Sequence, residues 1–370
     1  MGPDRSGDDG ALMRAVVMRA FGDPGVLEIE EVPDPSPEAG EALVRVAAVE
    51  VSRTRDVAAR SGRHPFSRQI TLPHVLGGDF AGVVEAVGDG VDPALVGQRV
   101  AAMSSHTCGE CVACRSGREY ECTQLEMVGI HRWGSYAELT RVPAGSLHVL
   151  PDGIEMAEAA ALAATGPIAL TQLRVAAVTA GSEVLITGVT GALATVLAAL
   201  ASRLGARVTG LTRRVAAVAP SLAAVPPGLG ITVLDSGRED LTQAIREAAG
   251  GDGPDSVIDN VASPEVFDRY FPALMNGARI VISGAIGTPD LPTLRVPAAP
   301  LYIRSISLIG VRTANARTTR DFWDLVRDGF RLPPGLVHEE ALEAAPAVHD
   351  AVIKGTAVGH TVLRVSDSVA

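Results

Sequence analysis

The chain has little basic charge, few aromatic side chains and no long apolar run. Its 370 residues carry a net charge of −11, include 4% aromatic residues and contain a single lysine, Lys354. Acidic and basic residues are interspersed, which argues against a nucleic-acid-binding face. No uncharged apolar stretch reaches the length that spans a bilayer. The sequence therefore predicts neither a nucleic-acid nor a membrane partner, and its 47% hydrophobic residues predict a substantial core.

The N-terminal residues 1–12 are polar and lack the apolar core of a signal peptide. We interpret them as a disordered extension and expect the fold to begin near Met13. The length of the remaining chain suits two domains better than one.

Cysteine is absent outside one short segment. All four cysteines, Cys108, Cys111, Cys114 and Cys122, fall within fifteen residues. A secreted disulfide framework would spread its cysteines more widely, so a metal site in the reducing cytoplasm is the better interpretation. The spacing predicts one structural Zn²⁺ held by four thiolates, with no open position for a substrate. The alternative is four unrelated free cysteines.

The pattern of apolar residues changes after about residue 150. Before this point, short apolar segments broken by glycine and proline, such as 81–87, predict an all-β region. After it, strand patterns alternate with helix patterns, as in Glu183–Thr187 followed by 192–204. This alternation predicts a parallel sheet with βαβ crossovers. Residues 156–173 are predicted to be helical, with Pro167 as a candidate break point because proline lacks the amide hydrogen.

A turn rich in small residues joins one predicted strand to the helix that follows it. The turn and the start of the helix comprise Gly188, Thr190, Gly191, Ala192 and Leu193. Small residues let backbone amides approach a pyrophosphate, and the N-terminus of a helix favours its negative charge. The spacing is G-x-x-G-x-x-A, with alanine where a third glycine often stands. The sequence predicts a dinucleotide site here; the alternative is an ordinary strand–helix turn.

The next predicted strand ends at Thr212, Arg213 and Arg214. Sites for NAD usually place an acidic residue here, where it binds the ribose hydroxyls. Two arginines instead suit a 2′-phosphate, because the planar guanidinium donates paired hydrogen bonds to it. NADP(H) is therefore favoured over NAD(H); the alternative is that both arginines are solvated loop residues.

Several motifs along the chain are shared with one enzyme superfamily. They are VLGGDFAGVV at 75–84, GQRV at 97–100, the four-cysteine segment, GSYAE at 134–138, DSVID at 255–259 and GARIVISG at 277–284. Together with the glycine turn, they make the chain resemble the medium-chain dehydrogenase/reductase superfamily, which includes zinc alcohol dehydrogenases and quinone oxidoreductases. The resemblance extends from Met13 to the C-terminus.

The resemblance implies an α/β plus β fold with two domains. A GroES-like β-barrel catalytic domain would comprise 13–153 and 313–370, around an inserted Rossmann domain with a doubly wound parallel sheet at 154–312. It also implies a homodimer or homotetramer formed through an edge strand at 305–311. The remaining cofactor-binding residues that we predict are Thr165, Val261, Gly284, Ala285 and Ile286.

The chain departs from the zinc-dependent members at the catalytic metal. Those members bind the metal through a cysteine, a His-Glu pair and a further cysteine or acid. Here Ser52 or Arg53 takes the first position, depending on where an extra residue in this loop is placed. Gly78 and Asp79 replace the His-Glu pair, and 163–166 contain neither sulfur nor imidazole. The sequence therefore predicts no catalytic zinc.

The loop with the extra residue supplies the candidate catalytic residues. Arg53 is the first choice, because a cation here would stabilise an oxygen that becomes negative during reduction. The alternative is a surface arginine paired with Glu50 or Asp56. Thr54 would donate a proton or orient the substrate, or simply cap a turn. Asp56 matches an acidic position of the family's loop whose role is usually structural.

These residues predict an NADPH-dependent oxidoreductase that reduces an enone, enoyl or quinone substrate by hydride transfer. Conjugation makes such substrates electrophilic, so they need less polarisation than an isolated ketone. One alternative is an alcohol/ketone dehydrogenase in which Arg53 or Thr54 replaces the metal. Another is a non-redox enzyme or a binding protein on the same scaffold.

Overall fold

The structure is a computed structural model that describes residues 11–215, 231–284, 292–356 and 358–366. Its strands, in chain order, are β1 Leu12–Met18, β2 Leu27–Pro33, β3 Glu41–Glu50, β4 His74–Val75, β5 Phe80–Val87, β6 Arg99–Ala102, β7 Ser105–His106, β8 Glu126–Met127, β9 Leu139–Pro143, β10 His148–Val149, β11 Glu183–Thr187, β12 Arg207–Thr212, β13 Ile231–Asp235, β14 Ser256–Asp259, β15 Arg279–Ile282, β16 Ser307–Gly310, β17 Val337–Ala341 and β18 His360–Arg364. Its α-helices are α1 Ala58–Arg60, α2 Val112–Arg115, α3 Met156–Val175, α4 Ala192–Arg203, α5 Leu241–Ala248, α6 Pro264–Tyr270, α7 Ala298–Ile303, α8 Ala316–Arg327 and α9 Ala345–Lys354.

Strand β1 begins the described fold at Leu12, one residue before the predicted start. Leu12 pairs with Pro33 in an antiparallel register, and the Ala11 carbonyl accepts a hydrogen bond from the Asp34 amide at 2.9 Å. The end of the predicted extension is therefore ordered by strand pairing. Residues 1–10 lie outside the described residues.

A mainly antiparallel sheet has the strand order β10-β6-β5-β3-β18-β17, with β9 also paired to β3. Strand β3 is buried along nearly its whole length and pairs with β5, β9 and β18. Because β17 and β18 come from the end of the chain, the C-terminal segment completes a sheet that the N-terminal half begins.

The second large sheet is parallel and has the order β13-β12-β11-β14-β15-β16. Its central strand β11 is fully buried and apolar over most of its length, as expected for a strand covered on both faces. Helix α4 follows β11 and returns the chain to β12, in the βαβ arrangement that the sequence predicts. The prediction of a GroES-like β region with a Rossmann-type parallel sheet is confirmed.

Helix α3 packs against β3 and β5 of the first sheet and against α4, and its buried residues share one core with strands of the parallel sheet. It runs unbroken through Pro167, so the predicted candidate break does not occur. Sixteen of its twenty residues are buried, and this packing outweighs the backbone hydrogen bond that proline cannot make. The Thr171 hydroxyl also donates to the Pro167 carbonyl at 2.9 Å. Among the helices of the described residues, none is both long and apolar enough to cross a membrane.

Candidate functional site

The four cysteines converge on one point in the lobe between β7 and β8. Their Sγ atoms all lie within 4.8 Å of one another, and no other group of His, Cys, Asp or Glu in the described part of the chain has such an arrangement. The Cys111 amide donates to Cys108 Sγ at 3.3 Å, and the Cys114 amide donates to Cys111 Sγ at 3.5 Å. Hydrogen bonds, first that from the Cys114 amide, lower the pKa of the Cys111 thiol, whereas burial raises that of Cys114, so the thiols of the cluster interact closely. The set fits one tetrahedral metal ion.

The turn between β11 and α4 has the shape of a cofactor cradle. Gly188 has φ +64°, and a Cβ at this position would meet Val261 Cγ2 at 2.7 Å. Gly191 is the N-cap of α4, so the amides of Ala192 and Leu193 lie in its first turn. Open backbone at a helix start suits a pyrophosphate, and the residues present therefore fit a dinucleotide.

A carboxylate that the sequence analysis did not select holds this cradle together. Asp259, at the end of β14, accepts hydrogen bonds from the Thr187 hydroxyl at 2.7 Å and the Tyr270 hydroxyl at 2.9 Å. It also accepts from the amides of Val261 and Ala262 at 3.1 and 2.8 Å. Asp259 thereby fixes Val261 beside Gly188. The DSVID motif at 255–259 contains Asp259, but the sequence does not reveal which groups donate hydrogen bonds to it.

Other predicted cofactor residues are placed around the ends of the parallel strands. Gly284 follows β15, and a Cβ there would lie 2.2 Å from the Asn260 carbonyl oxygen. Thr190 is half-buried, and its carbonyl accepts a hydrogen bond from the Gly359 amide at 3.0 Å. Thr165 lies in α3, and its hydroxyl donates to the Ala161 carbonyl at 2.6 Å. The predicted residues Ala285 and Ile286 lie outside the described residues.

Arg53, in the predicted catalytic loop, and Arg213, after β12, are close enough for their charges to interact. Burial lowers the pKa of Arg53, and the positive charges of Arg63 and of the exposed Arg213 lower it further. The Thr212 hydroxyl accepts a hydrogen bond from the Arg214 amide at 3.1 Å and so shapes the turn after the strand. The structure thus gathers positive charge from the predicted catalytic loop and the predicted 2′-phosphate site.

The extra residue near Ser52 is accommodated by a π-helical turn at Arg53–Val57. The Ser52 carbonyl accepts hydrogen bonds from the amides of both Asp56 and Val57, at 2.8 and 3.2 Å. A π turn absorbs one additional residue without disturbing the elements on either side. Of the predicted catalytic residues, Arg53 and Thr54 are exposed, whereas Asp56 is fully buried.

The π turn directs Arg55 into the protein, where its side chain is 4% exposed. Its Nε and Nη2 donate to the two oxygens of Asp56 at 2.9 and 2.7 Å, and its Nη1 donates to Asp79. Nη1 also donates to the Ser104 hydroxyl at 3.1 Å. Although burial opposes the charge, Asp56 and Asp79 raise the pKa of Arg55. Sequence reasoning missed this residue, because nothing in the pattern distinguishes Arg55 from Arg53.

The two carboxylates around Arg55 also hold the backbone. Asp56 accepts from the amides of Ser52 at 2.8 Å and Gly77 at 3.2 Å, and Asp79 accepts from the Ser104 amide at 2.7 Å. These bonds give Asp56 a structural role and leave it no open face for substrate. The structure thus separates Asp56 from the exposed Arg53 and Thr54.

Gly78 stands where zinc-dependent members of the resembled family carry the histidine ligand. A Cβ on Gly78 would lie 2.5 Å from Ser104 Cβ and 2.6 Å from the Val128 carbonyl oxygen. Since neither contact can be relieved by a flexible side chain, the fold leaves no room for a ligand there. Arg55 meanwhile forms an ion pair with Asp79, so this carboxylate is not available to a metal ion. The residues present do not fit a catalytic zinc.

Buried titratable groups surround the Arg55 cluster. His360 Nδ1 lies 2.6 Å from Glu50 Oε1, and burial raises the pKa of Glu50. Burial lowers the pKa of His64 and that of His106 to about 4 each. Both imidazoles are therefore neutral at pH 7, so neither adds a positive charge to that of Arg55.

Two family models match the chain: "Alcohol dehydrogenase GroES-like domain" over residues 38–152 and "Zinc-binding dehydrogenase" over residues 192–328. The L-galactonate-5-dehydrogenase of Escherichia coli (strain K12) is 31% identical over 251 residues, which cover 68% of this chain and 70% of the relative. A solved structure of an NAD-dependent alcohol dehydrogenase is 31% identical, covers 96% of this chain and 100% of its own, and has a TM-score of 0.84. The crystal structure of AibC is 28% identical, covers 98% of this chain and 99% of its own, and also has a TM-score of 0.84. The chain is an oxidoreductase that belongs to the medium-chain dehydrogenase/reductase superfamily.

Proposed function

We propose that this protein is an NADPH-dependent reductase of a conjugated double bond, in an enone, enoyl or quinone substrate, and that it works without a catalytic zinc. The observation that carries the proposal is the buried Arg55 between Asp56 and Asp79. The cation neutralises the carboxylate that a metal would need, and Gly78 closes the neighbouring ligand position. A substrate that conjugation already polarises is the chemistry that such a site supports best.

The chain's own residues would bind and orient the two reactants. The turn Gly188–Gly191 and the start of α4 would hold the pyrophosphate, and Arg213 and Arg214 would hold the 2′-phosphate. When bound, NADPH would supply a hydride, and a proton from solvent would complete the saturated carbonyl compound from an enone or enoyl substrate, or the hydroquinone from a quinone. Arg53, exposed on the π turn, would stabilise negative charge on the substrate oxygen, with Thr54 beside it. Arg55 and Asp56 would keep this turn rigid.

An alcohol/ketone dehydrogenase is the second candidate. It is favoured by the names of two relatives, an NAD-dependent alcohol dehydrogenase and an L-galactonate-5-dehydrogenase. It would require Arg53 or Thr54 to polarise an isolated carbonyl without a metal.

Product analysis separates the two candidates. With NADPH and 2-cyclohexen-1-one, we expect cyclohexanone as the product, identified by gas chromatography and mass spectrometry. Formation of 2-cyclohexen-1-ol would instead establish carbonyl reduction and reject the proposal. If neither nicotinamide cofactor binds in calorimetric titration, the redox function itself is rejected in favour of a non-redox enzyme or a binding protein.

The cofactor preference depends on the residues after β12. We expect Arg213→Ser to weaken NADPH binding by about 10- to 100-fold, because a charge-assisted pair with the 2′-phosphate is lost, and to change NADH binding less than threefold. Calorimetric titration measures both affinities. Arg203→Ser, at the exposed end of α4, is the matched control and should change neither. A wild-type preference for NADH would overturn the assignment of these arginines.

The cysteine cluster and the edge of the parallel sheet complete the proposal. We propose that Cys108, Cys111, Cys114 and Cys122 hold one structural Zn²⁺ in a reducing, cytoplasmic environment. We also propose a homodimer or homotetramer formed through β16, which is an edge strand of its sheet. Helix α7, just before it, exposes 83% of Tyr302 and 72% of Ile303, and such apolar exposure favours contact with a second copy.

A further inference from the structure

A cavity of about 310 Å³ lies between the segment after α1, the end of the cysteine lobe and the chain after β16. Its lining consists of Phe66, Gln69, Thr123, Gln124, Leu125, Glu126, His131 and Arg312. This volume is in the range of small-molecule sites, and most of the lining is polar. The four residues Thr123–Glu126 directly follow Cys122, so the metal lobe forms one wall.

Arg312 gives the cavity a cation that the protein does not neutralise. Its Nη2 donates to the Cys122 carbonyl, and among the described residues it has no carboxylate partner. One edge of the guanidinium is therefore fixed while the rest remains available. Glu126 also lines the cavity, but its side chain is 61% exposed and lies 3.8 Å from Arg132. Glu126 is thus a largely solvated carboxylate with only a distant contact to Arg132, which forms its shorter ion pair with Glu41.

His131 adds a hydrogen-bond donor to the same cavity. Its Nδ1 accepts a hydrogen bond from the Met127 amide at 2.8 Å, which leaves Nε2 as the ring's donor. Gln69, Thr123 and Gln124 supply further groups that can donate. A fixed guanidinium with several neutral donors is the arrangement that recognises a carboxylate.

A row of rings connects the cavity to the Arg55 cluster. The ring centroid of His131 lies 5.3 Å from that of Phe66, which lies 5.5 Å from that of His64. His64 in turn interacts electrostatically with both Arg55 and Asp56. The rings thus form a continuous path from the cavity to His64, which lies beside the Arg55 cluster.

We infer that this cavity binds a carboxylate of the substrate, with Arg312 as the residue that determines this specificity. The inference rests on the proposed function and narrows it: the preferred substrate is a conjugated carbonyl compound with an anionic carboxylate at a distance from the reacting double bond. Arg312 does not contact the reacting atoms and acts by binding the remote group.

The test compares (E)-6-oxohept-4-enoic acid with its methyl ester, which share the same enone. In wild-type enzyme with NADPH, we expect the acid to have the higher kcat/KM. Arg312→Gln should lower kcat/KM for the acid by about 10- to 100-fold, mainly through KM, and change that for the ester less than threefold. Arg317→Gln, whose side chain is 86% exposed nearby, is the control and should leave both unchanged. Equal effects on acid and ester, or no effect on either, would overturn the inference.

Two further measurements separate loss of carboxylate binding from damage to the cysteine lobe and from failure of the proposed function. Because Arg312 also contacts the cysteine lobe, His131→Phe leaves that contact in place and should lower kcat/KM for the acid alone, by about 3- to 10-fold. If neither enone is reduced, the proposed function fails, and the cavity is tested by calorimetric titration with glutarate. Glutarate binding that Arg312→Gln abolishes supports the carboxylate site even then, and absence of binding to the wild type rejects it.

Discussion

Replacing Arg55 by methionine is expected to lower the free energy of unfolding by about 3–5 kcal/mol, because it leaves two buried carboxylates without their cation. The side chains of Arg55, Asp56 and Asp79 are 4%, 0% and 6% exposed. Solvent therefore cannot take over the role of the guanidinium. Methionine keeps an unbranched apolar chain, so most of the expected loss of stability comes from removing the charge and little from the change in side-chain volume.

The control for this variant is Arg68→Met, a change of the same chemistry at an exposed position of the same region. It should alter the free energy of unfolding by no more than about 0.5 kcal/mol. Urea unfolding followed by circular dichroism measures both variants. If the free energy of unfolding of Arg55→Met lies within about 1 kcal/mol of that of the wild type, the buried ion cluster does not stabilise the fold as we expect.

A double variant tests whether the loss comes from unpaired charge. Asp79→Asn removes one of the two carboxylates that Arg55 neutralises. We expect the cost of Arg55→Met combined with Asp79→Asn to be smaller than the sum of the two single costs, because residues in one ion network are coupled. Additive costs would indicate that Arg55 stabilises the π turn only by packing.

The second large effect is expected at the cysteine lobe. Cys122→Ser removes one of four thiolates whose Sγ atoms lie within 4.8 Å of one another, so the Zn²⁺ that we propose there should be lost. Because metal binding contributes directly to folding, we expect the melting temperature to fall by about 5–10 °C. Hydrogen exchange should accelerate in the lobe around 105–127 and much less in the parallel sheet.

The matched control in the lobe is Glu110→Gln, which changes an exposed side chain between two cysteines. It should keep one zinc per chain and the wild-type melting temperature. If Cys122→Ser retains its zinc and its melting temperature, the four-cysteine metal site is wrong.

The sequence predicted the parts of this protein that depend on local patterns. Alternating strand and helix patterns after residue 150 gave the parallel sheet, and Glu183–Thr187 matches its strand residue for residue. The close spacing of the cysteines was sufficient to bring them together, since the lobe between Cys108 and Cys122 is short. Local reasoning left open a break of the predicted helix at Pro167, and burial of α3 decides that the helix continues.

The parts that depend on distant contacts could not be predicted. The sequence revealed an extra residue near Ser52, but not that a π turn would bury Arg55 and leave Arg53 exposed. Only the fold brings Asp79 and Ser104 against that arginine. The cavity around Arg312 is likewise built from segments almost 250 residues apart, which no motif connects. Tertiary contacts, and not the local sequence, decide whether Arg53 or Arg55 is buried.

We propose that one metal ion is bound per chain, at the cysteines, and that Arg55 takes the place of a second. The most direct test is elemental analysis of the purified protein, produced with zinc in the medium and dialysed before measurement. We expect one zinc per chain in the wild type and none in Cys122→Ser. Two zincs per chain in the wild type, or one zinc remaining in Cys122→Ser, would contradict it.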